Sequence, residues 1–444
     1  MRERLMLWRE RIVDARPGEW RALWCAFAFH FLVLASYYVL RPIRDEIGAA
    51  GGLESLSWLF TATLAAMLAA NVLFSAIAAR LSRRRFIPLA YRFFIGTLVA
   101  FYLLMQVEPA GIVSWVGRAF YVWVSVFNLF VVSVFWAFMA DTFDSAQGKR
   151  LFGFIAVGGT LGAVLGGTLT ASLVEPLGSA GLLVLSAVLL EGAVWCVRVF
   201  PRSEGPRDLV RDDRPEWPLG GTFWSGIAHV FRSPYLLGIC GFMLLHSVTS
   251  TLVYFQQADI AGSAFADRAG RTAFFAQLDI AVNVLTVLMQ VFLTGRLLKW
   301  VGVGATLALL PVVSLAGFAV MALAPSLALL AGFQIARRAV NYAISRPARE
   351  VLFTVLPRED KYKAKAFTDT FVYRAGDQVG AWSYPLLRLA GLGLAGVSAV
   401  AVPLASAWLA LSLWLGRRQA EQAGLSFRRN PESGVLVGDS RVAA

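Results

Sequence analysis

WRALWCAFAFHFLVLASYYVLRPIRDEIG, residues 20–48, is apolar for longer than one membrane crossing needs, and it ends in a dense block of charge. A helix rising 1.5 Å per residue crosses a bilayer core in about 20 residues. Working outward, comparable runs recur near 56–79, 86–106, 112–140, 151–174, 178–199, 234–258, 271–296, 302–323, 326–355, 364–390 and 392–415. The first, fourth, tenth and eleventh carry charge inside the span. The pattern predicts an all-α polytopic membrane protein of about twelve transmembrane helices.

Composition agrees. Of 444 residues, 58% are hydrophobic and only 16% charged, where soluble chains run near 25% charged. No soluble core could bury that much apolar surface, whereas a bilayer can solvate it. The net charge of +13 would suggest nucleic acid in a soluble protein. Here the basic residues cluster between apolar runs, so the expectation is a lipid bilayer as surroundings and no nucleic-acid partner. The start, MRERLMLWRERIVDAR, reads as an Arg-rich cytoplasmic arm rather than a cleavable signal. Cys25, Cys196 and Cys240 lie singly in apolar runs, with neither metal nor disulfide spacing.

Residues 201–221, PRSEGPRDLVRDDRPEWPLGG, are rich in Pro, Gly and charge. They divide the chain into an N-terminal six-helix half, 1–200, and a C-terminal half, 234–415. Between these lies a cytoplasmic linker, 201–233, in which 222–233 has the composition of an amphipathic helix. Residues 416–444 form a polar cytoplasmic tail. Arg80, Arg83, Arg84 and Arg85, Lys149 and Arg150, Arg296 and Lys299, Lys361, Lys363 and Lys365, and Arg417 and Arg418 all fall on one side when both termini are cytoplasmic. An offset of 216 maps His30 on His246, Tyr38 on Tyr254, Arg80 on Arg296 and Lys149 on Lys365. Equivalent runs and loops therefore match, as in transporters built from two parallel repeats around a midplane site.

Charge inside a span is expensive, about 2.5–3.5 kcal/mol per residue on insertion scales, so it needs a partner or a water-filled cavity. Arg41-Pro42-Ile43-Arg44-Asp45-Glu46 ends the first run, and Arg346-Pro347-Ala348-Arg349-Glu350 repeats the Arg-Pro-x-Arg-acid pattern in the tenth. Arg41 and Arg44, like Arg346 and Arg349, share a helix face at a spacing of three, and each proline is expected to kink or locally unwind its helix. One reading is a pair of arginine clamps for an anion; the other is a solvated or snorkelling helix end. The tenth run also holds Arg337 and Arg338, and the eleventh Asp369, Arg374 and Asp377 with Gly376 and Gly380. Arg374 and Asp377 suit either a structural ion pair or a coupling site. Asp279 is a lone carboxylate in the eighth run that suits proton binding or an arginine partner. His30 and His246 occupy matched places, consistent with a proton or gating role or with hydrogen-bonded packing. Gly158, Gly162 and Gly166 have helix-packing spacing. No Walker loop or zinc-hydrolase pattern is present in the sequence, no cofactor is expected, and the chain does not read as an enzyme.

YYVLRPIRDEIG (37–48), FYVWVSVFNLFVVSVFWAFMAD (120–141) with Lys149-Arg150, and NYAISRPAREVLFTVLPREDKYKAKAFTD (341–369) together resemble the ATP/ADP antiporter family. That family comprises the nucleotide transporters of plastids and intracellular bacteria, with relatives in free-living bacteria. The resemblance covers parts of both halves and is strong only in these segments. It implies a major-facilitator-like fold of six plus six helices and exchange of ATP for ADP or related nucleotides. The family's basic site residues fall on Arg44 and Arg349, its Pro-x-Lys-Glu element on Pro347, Arg349 and Glu350, and its eighth-helix aspartate on Asp279. Its fourth-helix glutamate falls on Ser125, its seventh-helix glutamate near Thr251, and the neighbouring basic residue near Gln256.

The leading expectation is thus a secondary transporter of the bacterial inner membrane, working as a monomer on an anionic small molecule with ATP and ADP among the candidates. Arg44, Arg349, Arg41, Arg346, Tyr38, Ser125, Asn128, Asn341 and Gln256 are the candidate substrate contacts. Asp279, Glu350, Arg374, Asp377, His30 and His246 are the candidate coupling or gating groups. A carrier of another organic anion, a non-transporting scaffold or sensor on the same fold, and a membrane enzyme for lipid-linked substrates remain as alternatives. A polar cavity of several hundred Å³ between the halves would favour transport.

Overall fold

The computed structural model describes residues 16, 18–78, 83–106, 112–143, 145–201, 233–356 and 367–429. The N-terminal arm, Arg80, nearly all of the expected linker and amphipathic helix, Lys361, Lys363, Lys365 and the tail past residue 429 lie outside the described residues, as do the side chains of Lys149, Lys299 and Asp369.

Every regular element among the described residues is helical: α1 (Trp20–Ala50), α2 (Gly52–Ala78), α3 (Arg83–Gln106), α4 (Ile112–Thr142), α5 (Ser145–Val199), α6 (Pro234–Ala264), α7 (Arg268–Met289), α8 (Gly295–Trp300), α9 (Gly302–Leu323), α10 (Leu327–Val340), α11 (Arg346–Leu352), α12 (Tyr373–Leu389) and α13 (Leu394–Arg429). Single π-turns at Gln290–Thr294, Asn341–Ser345 and Thr368–Val372 join α7 to α8, join α10 to α11, and lead into α12. Starts are set by local chemistry. Ser233 caps α6 ahead of Pro234, and the side chains of Asp267 and Ser326 accept from the backbone N–H groups of Gly270 and Leu329.

Nine of the described helices are long and apolar enough to cross a membrane. One of them, α5, is 55 residues long with Gly178 at φ 65° and Pro176 beside it. Only glycine adopts that backbone conformation without strain, so the fifth and sixth runs form a tight hairpin. In the tenth and eleventh runs π-turns divide the helix, so α10, α11 and α12 are 14, 7 and 17 residues long, each shorter than a crossing by itself. The fold is polytopic and all-α, in the expected six-plus-six arrangement. At Pro347 the helix does change, through the π-turn just before α11. At Pro42 the expectation of a break is not met: α1 runs unbroken through it. Membrane helices tolerate proline where neighbouring groups re-satisfy the freed carbonyl.

Buried side chains form one core from Leu23 to Phe200 and another from Tyr235 to Leu415. A third cluster draws on both halves, with Leu56, Leu59 and Tyr121 against Leu252, Phe255 and Tyr384. In lipid the association of helices rests on close packing rather than on removal of apolar surface from water, and glycines supply it. A Cβ on Gly158 would sit 2.7 Å from the Phe27 carbonyl oxygen, while Gly162 and Gly166 press still closer on the Phe31 and Ala35 carbonyls. Gly376 and Gly380 repeat the device in the other half, against Ser247 and Thr251. The fifth crossing thus packs on the first as the eleventh packs on the seventh.

Among the described residues, the polar contacts that join the halves lie in the middle of the bundle and at the end where α1 and α6 finish, here termed the far end. Glu46 accepts from Arg268 (2.9 Å) and Arg271 (3.0 Å). Tyr254 donates to Asp45 (2.9 Å), Ser57 to the Ala381 carbonyl (2.6 Å), and Trp58 meets Trp382 edge-on at 5.1 Å.

Candidate functional site

Between the halves a cavity of about 840 Å³ runs from this closed layer toward the end where α1 and α6 begin. Its floor is tyrosine. The Tyr121 and Tyr254 hydroxyls lie 3.3 Å apart, and Arg44 donates to Tyr121 (3.0 Å) while lying 4.4 Å over its ring. This cation–π geometry is worth the more for being desolvated. Arg44 also stands 3.5 Å from Asp45. Tyr37, Phe60, Tyr342 and Tyr373 add aromatic wall.

The charge balance of the lining is uneven. Among the described residues, Arg41, Arg44, Arg346, Arg349 and Arg374 face the cavity against two carboxylates, Glu350 and Asp377. Asp377 is already engaged, accepting from Arg374 (3.2 Å), Ser247 (2.5 Å) and Thr251 (3.3 Å). Arg346 lies 4.7 Å over the Tyr342 ring and, among the described residues, has no carboxylate within 4 Å. The two Arg-Pro-x-Arg segments, which the repeat does not relate, therefore meet across one cavity.

Of the expected contacts, Arg44, Arg349, Arg41, Arg346, Ser125 and Asn128 line this space, as do Glu350, Arg374, Asp377 and His246. Asn341 lines a smaller neighbouring cavity. Tyr38 is buried beside the main cavity, with its hydroxyl 3.4 Å from Arg41. Asp279 is 1% exposed, ion-paired at 2.7 Å with Arg338 and 3.5 Å from Arg41, so it ties the eighth crossing to the first and tenth.

Gln256 and His30 stand away from the cavity. Gln256 donates to Ser398 (2.7 Å) on α13. Thr251 and Tyr254 face the cavity, and a residue two further along is turned about 200° round the helix. The His30 ring stacks on Phe135 at 4.3 Å, with Nδ1 2.9 Å from the Ile155 carbonyl oxygen. The repeat pairs His30 with His246 in sequence, but only His246 reaches the space between the halves. Sequence reading missed the cavity tyrosines Tyr37, Tyr121, Tyr342 and Tyr373, together with Thr63 and Gln378. The one usable signal was Tyr254, the repeat partner of Tyr38.

Outside the spans, Glu19 precedes α1 and accepts from Arg150 (3.0 Å), Gln147 (2.9 Å) and the Arg16 backbone (2.9 Å). Burial alone would raise its pKa, but these donors outweigh it and hold the carboxyl down at about 2.

Comparison with known proteins places this geometry. The sequence pattern described as Major Facilitator Superfamily matches residues 23–347. No curated protein matches the chain in sequence. Among solved structures, an autoinhibited peptide transporter of the POT family superposes with a TM-score of 0.61 at 12% identity, covering 96% of this chain and 99% of that one. The nucleoside transporter NupG gives 0.58 at 13%, covering 90% and 98%. A bacterial homolog of the human lysosomal transporter Spinster, solved inward-facing and unoccupied, gives 0.56 at 13%, covering 93% and 98%. At such identities the likeness is one of fold.

Proposed function

The chain belongs to the Major Facilitator Superfamily, and from that premise we propose that it carries an anionic small molecule across the membrane by alternating access. It is a multi-pass transporter and not an enzyme. The observation that supports an anion is the excess of arginine over carboxylate around the 840 Å³ cavity among the described residues, with Arg346 lacking an acid partner among them. That volume lies within the roughly 300–1,000 Å³ of small-molecule sites. Guanidinium groups pair with phosphate or carboxylate in two-pronged fashion, and the tyrosine walls suit a flat ring. Nucleotide exchange is the specific candidate within this class. Ser125 and Thr251, in place of the acids of the antiporter family, favour transport of another organic anion as the second reading.

In this account the membrane is the bacterial inner membrane and both termini are cytoplasmic, the orientation that the basic loops favour. The cavity then opens inward and the layer at Glu46 and Tyr254 seals the outside. Each half supplies one arginine clamp, the N-terminal half with Arg41 and Arg44 and the C-terminal half with Arg346 and Arg349, so one chain carries a whole site and works as a monomer. A substrate bridging the clamps draws the halves together on the inner side.

A thermal-shift screen of purified protein against nucleotides, other organic anions and neutral peptides tests the class. Ligand at a hundred times its Kd stabilises the folded state by about 2.7 kcal/mol. Saturable shifts confined to anions support the reading, and shifts confined to neutral compounds refute it. Arg44→Ala and Arg349→Ala are expected to insert normally and abolish uptake; wild-type uptake in both sinks the site assignment.

A further inference from the structure

We propose that the smaller polar cavity behind the substrate cavity is a binding site for a monovalent inorganic anion of halide size, chloride in the cell, held at Arg337 and distinct from the transported substrate. The small cavity measures about 130 Å³ and lies among α1, α6, α10 and the π-turn at Asn341–Ser345. It shares a wall with the main cavity that includes Arg41, His246, Tyr254, Tyr342, Arg346 and Tyr373, while Arg337, Arg338 and Asn341 line the small cavity and not the main one.

Arg337 is 2% exposed within a membrane-spanning helix. Its hydrogen bonds all go to neutral oxygens: Ser314 (3.1 Å), Ser250 (3.0 Å), Thr249 (3.1 Å) and the His246 carbonyl (3.3 Å). Among the described residues no carboxylate lies within 4 Å of it. These bonds engage four of its five N–H donors and leave its charge without a counter-ion, and an ionised side chain in a span is tolerated only beside an opposite charge or in a wet cavity. The acids nearby are spoken for. Asp279 is shared by Arg338 and Arg41, and Asp45 by Arg41 and Arg44. Positive charge around the small cavity therefore exceeds negative charge.

A second, independent observation points to a ligand. His246 is 5% exposed and its Nδ1 makes no hydrogen bond. The residue lines the small cavity as well as the main one. Orphaned nitrogens of this kind carry the full cost of desolvation, which an occupant would remove. Size then selects the occupant. At about 30 Å³ per water in the liquid, the space takes a halide with a few waters and excludes a nucleotide or other bulky organic anion. Balancing Arg337, which has no carboxylate within 4 Å among the described residues, takes one negative charge.

The test uses the purified full chain. Wild-type protein is titrated with sodium chloride, sodium bromide or sodium phosphate, with sodium gluconate holding ionic strength constant, and thermal unfolding is followed. Equilibrium dialysis with radioactive chloride counts sites. The proposal expects a saturable rise in Tm with chloride and bromide, none with phosphate, and one bound chloride per chain that survives saturation with the transported anion. Arg337→Gln is expected to lose at least tenfold in chloride affinity, and Asn341→Leu, a milder change at the cavity wall, to weaken it. Absence of saturable chloride binding by the wild type overturns the proposal, whether or not the variants fold. Stabilisation by phosphate alone also overturns it. Full displacement of chloride by substrate overturns the separate site while leaving the anion-transport reading intact.

Discussion

Glu46→Gln keeps the size of a side chain that is 2% exposed but removes its charge from the contact with Arg268 and Arg271 at the far end. Arg268 is 43% exposed, so its share is that of a surface pair, about 0–1 kcal/mol. Arg271 is 14% exposed, and a hydrogen bond to a charged group in such a place contributes about 1.5–3 kcal/mol. Arg271 stays anchored to the carbonyls of Phe265 (2.8 Å) and Ala266 (3.2 Å), which limits secondary collapse. A net loss of about 2–3 kcal/mol changes the ratio of closed to open far ends by about 30- to 150-fold. The Tyr254–Asp45 and Ser57–Ala381 bonds remain, so the layer loosens rather than disappears. The readout is a single cysteine at Met67, on the cavity wall, with Cys25, Cys196 and Cys240 replaced by serine. In sealed vesicles, Glu46→Gln is expected to raise labelling by an impermeant maleimide from the far-end side at least tenfold and to lower it from the other side. Unchanged labelling from both sides would refute the assignment of this layer as the seal.

Asp279→Asn leaves Arg338 and Arg41 without their shared carboxylate, and breaking a buried pair this way costs about 3–5 kcal/mol; a large drop in Tm is expected, partly restored by adding Arg338→Met, and an unaltered Tm in the single variant contradicts the pairing. Gly162→Leu drives a side chain into the Phe31 carbonyl and should cost upward of about 1–3 kcal/mol, seen as lost yield and Tm, whereas Gly153→Ala meets open space and should be neutral. Glu19 has a folded pKa held at about 2, below its unfolded value of about 4.3. Its contribution is therefore fully present above about pH 4.3 and fades as pH falls toward 2. Glu19→Gln should lower Tm at pH 7 and lose less on acidification than the wild type.

The fold was legible because span length is set by bilayer thickness and because apolar runs such as 302–323 have no other explanation. The arginines were legible for the converse reason: charge in a span is costly, so Arg41, Arg44, Arg346 and Arg349 stood out whatever their partners. Tyrosine carries no such penalty, and Tyr121 or Tyr373 looks like any other member of an apolar run. Helix phase was the second blind spot. Gln256 looked like a cavity hydrogen-bond group, but its rotation on α6 turns it to Ser398. His30 matched His246 by offset, but its ring turns toward α5. Polarity marks a residue as needing a partner; only the three-dimensional arrangement says whether that partner is substrate or protein. Arg337 shows the limit most clearly, since its acceptors come from α6 and α9 and no local pattern joins them.

The most direct test of anion transport is uptake into proteoliposomes by the wild type and Arg346→Ala, with substrates chosen by the thermal-shift screen. The account predicts saturable accumulation of an anion by the wild type, inhibited by other anions and not by their uncharged analogues, and at least a tenfold loss of uptake in correctly inserted Arg346→Ala. Equal transport of charged and uncharged analogues, with Arg346→Ala indistinguishable from the wild type, would contradict it.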